Sequence, residues 1–440
     1  MKRSLQSWTG CCILSVAMLA TCGNAQTRPA GPTTATGPQQ TMTWEQVKGR
    51  FEAANPALKA DALNVDEMKA EEITAYLRPN PTASFTEDQT YPFGPHIDPN
   101  TNTTNYRPLT DALTTGSISY LHEREHKREL RLESAKEGTR IAGSLHEDLQ
   151  RNMMYNLRVA FVQTLEAKAV LELAKADLTY YDNIIAISKE RFRAGDLAQI
   201  DLDRIELLRV QYETEIEAAT VNLRSQKIAL LQLLDDRTPV DRFDVTGAFD
   251  FSAELQTLDS FEQSALQARP DLQAALQAVE QAKTNEKLAK ANGSADPTFA
   301  VDSGANPPLP TYYGVNITVP IRIFDRNQGE KKRTQIDIER NQQLTEAARA
   351  QVFSDVDSAY EQVRSSVALL KPYRDQYREQ ATRVRDTVTY AYQHGGASLM
   401  DFLNAQSDYR TVQLAYLQLV GTYMTAAAQL NLAVGHEVIQ

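Results

Sequence analysis

The chain has 440 residues, enough for two or three ordinary domains by length alone. Its 57 Asp and Glu outnumber 46 Lys and Arg, so a phosphate backbone is a poor partner and no nucleic acid is expected. The composition, 42% hydrophobic and 23% charged, is that of a folded chain, and no run long and apolar enough for a spanning helix follows the N-terminus. What remains is a soluble protein, or one that crosses a membrane with β-strands.

The first segment reads as an export signal. Lys2 and Arg3 precede the apolar run Cys11 to Ala20, and Gly23-Asn24-Ala25 supplies small residues at the positions a signal peptidase needs, giving a signal peptide over 1–25. The alternative is a lipoprotein signal ending at Cys22, because Leu19-Ala20-Thr21-Cys22 approximates a lipobox; Thr21 fits it poorly. Cys11, Cys12 and Cys22 are the only cysteines, so a chain cut after Ala25 carries no thiol for a disulfide or a metal. Residues 26–43, rich in Pro, Thr and Gly at their start, read as a flexible tether.

The body of the chain is two copies of one pattern. Phe192-Arg193-Ala194-Gly195 is answered by Tyr392-Gln393-His394-Gly395, with Ala198 and Ser398 three residues past each glycine and Asp201 and Asp401 six past it. Each glycine predicts a break between two long helices. After each break a seven-residue seam follows. Alternating steps of three and four from Leu202 to Leu233 select eight apolar residues in ten, and the same steps from Phe402 to Ala433 select ten in ten. That period keeps one apolar stripe in register and coils helix around helix. Before each glycine a further helical stretch is expected, roughly 124–193 and 327–393, lengths on the order of 100 Å at ~1.5 Å per residue.

Short alternating segments lie between the helices. Val315, Ile317, Val319 and Ile321 share one face against Asn316 and Thr318, and a strand is expected before them over 296–303, with the turn at 304–310. The first copy has the matching pair, 81–87 and 116–121, joined by a long polar connection. A coiled-coil rod has no use for such strands, whereas a barrel wall between lipid and water requires them. Four strands cannot close a barrel, for which about eight is the minimum; pooling between chains is therefore implied.

These residues resemble the TolC-like outer-membrane efflux proteins, and more narrowly their cobalt-zinc-cadmium resistance-type branch. The carriers are Arg78-Pro79-Asn80-Pro81, Lys127-Arg128-Glu129-Leu130-Arg131, Arg269-Pro270-Asp271-Leu272, Tyr313 to Pro320, and Phe324 to Glu330, in that order. The resemblance implies a mainly α fold with a small β part. Long antiparallel helical hairpins build an α-barrel, and four transmembrane strands per chain join a twelve-stranded barrel in a homotrimer. It divides the chain into a first efflux repeat at 44–234, an equatorial linker at 235–258 and a second repeat at 259–440. It implies an outer-membrane location reaching into the periplasm, contact with outer-membrane lipid, and a passive exit duct. Its partners are a periplasmic adaptor and an inner-membrane pump of the RND type, with heavy-metal cations as the hinted cargo. Gly195, Ala198, Gly395 and Ser398 fall at the helix tips where the adaptor docks. Asp401 matches a constriction aspartate, followed one turn on by Asn404 where relatives often carry a second acid. Tyr392 and Asp201 match partners in a tip hydrogen-bond latch, and Ala397 replaces an arginine of that latch. A plainer reading of Asp201 and Asp401 is N-terminal capping of the helices that follow.

His122-Glu123-Arg124-Glu125-His126 spells the zinc-peptidase motif. Its neighbours Lys127, Arg128 and Glu129 make a solvated charged turn instead, and His96, His146, His394 and His436 add no spaced cluster. No phosphate loop, nucleophile elbow or dinucleotide fingerprint occurs, so neither an enzyme nor a cofactor is expected. The rival reading is a periplasmic coiled-coil adaptor, which would carry a lipoyl-like β domain between its helical arms.

Overall fold

A computed structural model describes residues 40–89, 96–97, 100–105, 112–252, 254–305 and 310–439. The export signal, Cys22 and most of the tether lie outside these residues, as does the middle of the turn expected at 304–310. Within the unit spanning Gln39–Gln440, the chain runs as β1 (Gln40–Met42), α1 (Trp44–Ala54), α2 (Pro56–Ala75), β2 (Thr82–Gln89), a small hairpin of β3 (His96–Ile97) and β4 (Thr104–Asn105), β5 (Ala112–Leu121), α3 (Lys127–Ala194) and α4 (Gln199–Leu233). The second half continues with β6 (Phe243–Val245), α5 (Leu258–Ala268), α6 (Pro270–Ala291), β7 (Thr298–Ala305), β8 (Tyr312–Thr318), α7 (Gln328–Pro372), a π turn (Tyr373–Tyr377), α8 (Arg378–Gln393) and α9 (Leu399–Val434).

Both predicted breaks sit at left-handed glycines, Gly195 at φ 82° and Gly395 at φ 76°, a conformation that costs glycine least. The predicted seams face inward: none of their twenty positions on α4 and α9 is exposed. The helix starts are matched too. His126 and Asn327, 201 residues apart, both take left-handed backbone (φ 55° and 59°) one residue before α3 and α7. In the first copy the junction is fixed by Lys127, buried, whose Nζ donates to Asp296 at 2.6 Å and to the Ser294 carbonyl at 2.9 Å. Arg131 forks onto Glu123 at 2.5 and 2.9 Å.

One long helix departs from expectation. The stretch read as continuous to Gln393 is split by Pro372 and the π turn after it. Proline lacks the N–H that would bond one turn back, and its ring crowds that carbonyl, so the register slips. The strands also shift by a few residues: β8 ends at Thr318, two residues before Pro320, which cannot donate to a ladder.

The core is distributed along the molecule. Met42, Val47, Phe51, Phe161, Leu230, Phe243 and Val245 gather around the parallel pair β1 and β6. A second cluster joins Phe261 and Leu272 to Val352, Val356, Val363, Tyr423 and Leu430. The third lies near the glycine breaks: Tyr181, Ile184, Ile185, Ile205, Tyr392 and Phe402.

Candidate functional site: an amphipathic sheet and paired helix tips

Four strands form one antiparallel sheet in the order β2-β5-β7-β8. Partners directly across a ladder point to the same side, so the register sorts every side chain. Ala83, Ile118, Val301 and Val315 make one row, flanked by Phe85 with Tyr313 and by Tyr120, Phe299 and Ile317. The opposite side carries Thr82, Ser119 and Asn316, then Ser84, Ser117 and Asp302. The sheet is thus apolar on one face and polar on the other. The apolar face has no cover among the described residues: Phe85 is 73% exposed, Val301 61% and Val315 79%. An ordinary half-buried sheet turns its apolar face to a core; this one leaves that face exposed in the single chain. On the polar face Tyr312 lies across Gly304 and the Asp302 carboxylate fills the space over Gly314, leaving no room for a side chain at either glycine.

The helix tips carry the remaining predicted residues. Ser398 caps α9, its Oγ accepting from the Asp401 N–H at 3.2 Å, while the Asp401 carboxylate accepts from the Ser398 N–H at 3.1 Å and from its hydroxyl at 2.7 Å. The hydroxyl and then the backbone N–H of Ser398 hold the exposed Asp401 carboxyl below its ordinary range. The first copy has no such cap: Ala198 offers only its carbonyl, which accepts from Asp201 N at 3.1 Å and Leu202 N at 3.2 Å. Replacing Ser398 with alanine is expected to destabilise the α9 start by about 1 kcal/mol and make it resemble α4; faster hydrogen exchange at the Asp401 and Phe402 amides is the measurement, and unchanged exchange would contradict it.

Tyr392 is placed differently from the latch that the resemblance suggests. It is 2% exposed and stacks on Phe402, rings 5.0 Å apart at 22°. Its hydroxyl is buried without a hydrogen-bond partner among the described residues, so within one chain it does not bond Asp201. Arg191 does the joining. Its Nη1 donates to the Tyr392 carbonyl at 2.6 Å, and its guanidinium lies 5.1 Å from the Tyr392 ring centre. Sequence reading passed over Arg191 because nothing local marks it; its partner is 201 residues away. Asn404 is exposed one turn beyond Asp401.

The zinc-peptidase spelling does not form the corresponding geometry. Glu125 and His126 are both left-handed, α3 starts only at Lys127, and the His122 N–H donates to the Pro297 carbonyl at 2.9 Å. The two imidazoles therefore share no helix face. No group of three or more metal-ligating side chains is assembled among the described residues.

Long helical hairpins joined to a small sheet are the fold this chain shares with solved outer-membrane channels. The chain superposes on CusC with a TM-score of 0.72 at 16% identity, covering 93% of this chain and 99% of that one. With VceC of Vibrio cholerae the TM-score is 0.69 at 16% identity, covering 90% and 96%. A cobalt-zinc-cadmium resistance protein of Cupriavidus metallidurans is 21% identical over 415 residues, 92% of each chain. Residues 262–436 match the family described as outer membrane efflux protein.

Proposed function

We propose that three copies of this chain pool their sheets into a twelve-stranded outer-membrane barrel and their hairpins into a periplasmic helical duct. The chain is then the passive exit of a tripartite efflux system. The observation that carries this reading is the uncovered apolar face of the β2-β5-β7-β8 sheet. Its strands of 7 to 10 residues span roughly 23–33 Å at ~3.3 Å per residue, enough for a bilayer's apolar band of about 25 Å. A second uncovered surface favours assembly. Ile200, Leu207, Val221 and Ile228, at multiples of seven on α4, are all exposed, an apolar stripe with no partner among the described residues.

In this assembly residues 44–234 and 259–440 are the two repeats around an equatorial linker at 235–258. Gly195, Ala198, Gly395 and Ser398 form the tips that meet a periplasmic adaptor, itself coupled to an inner-membrane pump of the RND type. Three Asp401 carboxylates make an acidic constriction, each already biased toward its charged form by Ser398, and Asn404 leaves the next ring uncharged. Asp201 and Tyr392 border this gate. Heavy-metal cations are the cargo favoured by the resistance-type relative. Cys22 is the acylation site if the lipoprotein signal is used.

The test is heat-modifiable trimers in the outer-membrane fraction that conduct in planar bilayers. Asp401→Asn should lower cation over anion selectivity severalfold without loss of trimer. A monomeric periplasmic protein with no conductance would overturn the channel, and unchanged selectivity would remove the acidic ring. Unaltered tolerance to cobalt, zinc and cadmium on gene deletion would remove the metal cargo.

A further inference from the structure

Above the tips, the two hairpins meet across a seam of opposite charge. On one side stand Asp177, Tyr180 and Tyr181 of α3 with Tyr212 and Glu215 of α4; on the other stand Arg385 of α8 with Tyr409 and Arg410 of α9. Arg410 pairs with Glu215 at 2.5 Å and lies 5.7 Å from the Tyr212 ring centre. Arg385 sits between the rings of Tyr180 and Tyr409, at 4.7 and 3.9 Å, and pairs with Asp386 at 2.8 Å. The Tyr180 hydroxyl donates to Thr389 at 2.9 Å. Among the described residues every charge has a partner here except one. Asp177 Oδ2 is buried without a hydrogen bond among them, and so is Gln406 Nε2 of α9. Both nearby arginines are committed to other carboxylates.

The arm that carries Arg385 and Arg410 has a built-in pivot. Pro372 and the π turn Tyr373–Tyr377 separate α8 from α7. Pro372 has no N–H to donate back along α7, so the helix is weakest at that point. Below the pivot, the seam and the tip core hold α8 and α9 to the first hairpin.

We propose that Asp177 is a proton-responsive element of this seam: with a proton bound it lets α8 and α9 seat against α3 and α4, and without one it loosens them about Pro372. A neutral carboxyl tolerates burial far better than a carboxylate with an unsatisfied oxygen. Burial raises the Asp177 carboxyl from 3.8 to about 6; Arg410 and Arg385 oppose the rise and Glu215 adds to it. Once the hairpins part, the group is solvated and returns toward its ordinary value. The seated state therefore binds the proton more tightly. Its advantage is complete below the ordinary carboxylate range and is lost as pH rises through about 6. Each unit between the two values is tenfold, so the equilibrium moves by up to ~100-fold. A tip that opens more readily above this range rests on the channel reading; the change in packing does not.

The experiment places spin labels at two exposed positions of the full chain, Thr214→Cys on α4 and Ser407→Cys on α9, and reads their separation by pulsed EPR across the carboxylate range. The wild type should gain long distances at least ~10-fold as pH rises through the transition. Asp177→Asn, neutral throughout, should keep the short distance at every pH, and Asp177→Ser serves if the amide variant fails to assemble. A neutral variant that titrates like the wild type, or a wild type whose distances do not change with pH, overturns the inference. Conductance of the same samples separates the two readings. Titrating distances without pores sink the channel alone, and pores without titrating distances sink the seam alone.

Discussion

Arginine at Val301 is expected to abolish trimer formation in the outer membrane while leaving the helical body folded. Val301 lies on an inner strand of the four, in the apolar row between Ile118 and Val315. It is exposed in the single chain, so the substitution breaks no contact of the three cores. Its cost arises only on insertion, about 2–4 kcal/mol for a cation near mid-bilayer, and is incurred once per subunit. Arginine at Ser117, on the polar side beside Asp302, is the control and should assemble normally. The measurement is heat-modifiable trimer in the outer-membrane fraction, with far-UV circular dichroism of the detergent-solubilised chain. Normal assembly of Val301→Arg, or equal failure of both variants, would refute the lipid-facing assignment.

The second large effect is at Arg269, which is 4% exposed. Its guanidinium forks onto Asp271 at 2.6 and 3.0 Å, reaches Asp355 at 2.8 Å and donates to the Ala433 carbonyl at 3.3 Å. One side chain thereby ties the start of α6 to α7 and to the end of α9. Arg269→Ala strands two part-buried carboxylates and one carbonyl, and is expected to destabilise the fold by about 3 kcal/mol. Arg269→Lys should recover only part, because a lysine cannot fork. Burial pushes the Asp271 carboxyl up, but Arg269, by hydrogen bond and by charge, holds it net below its ordinary value. Its folded pKa is therefore depressed, so its contribution is present at neutral pH and is lost as pH falls below the ordinary carboxylate range. Urea unfolding at neutral and acid pH reads both. A midpoint equal to wild type at neutral pH, or a stability gap between wild type and Arg269→Ala that does not narrow in acid, would contradict this account.

The heptad seams were legible in the sequence because they need only a period and a hydropathy difference. The glycine breaks were legible because φ near 80° is a local demand. The motif Arg269-Pro270-Asp271-Leu272 was visible as a carrier of resemblance, but its reason was not: Asp355 and Ala433 are 86 and 164 residues away. The helix break at Pro372 was within reach of a stricter reading, since proline inside a helical stretch is itself the signal.

Local periodicity, then, settled by itself that this chain consists of long paired helices with one amphipathic strand pair, twice over. Tertiary structure alone decided that the apolar strand faces form one continuous uncovered surface, that Arg191 rather than Asp201 engages Tyr392, and that Asp177 is left unpartnered between two hairpins. The physical reason is distance along the chain. Each of these depends on residues about 200 positions apart meeting side by side, and which ones meet is set by how the helices pack, a quantity no local pattern of side chains encodes.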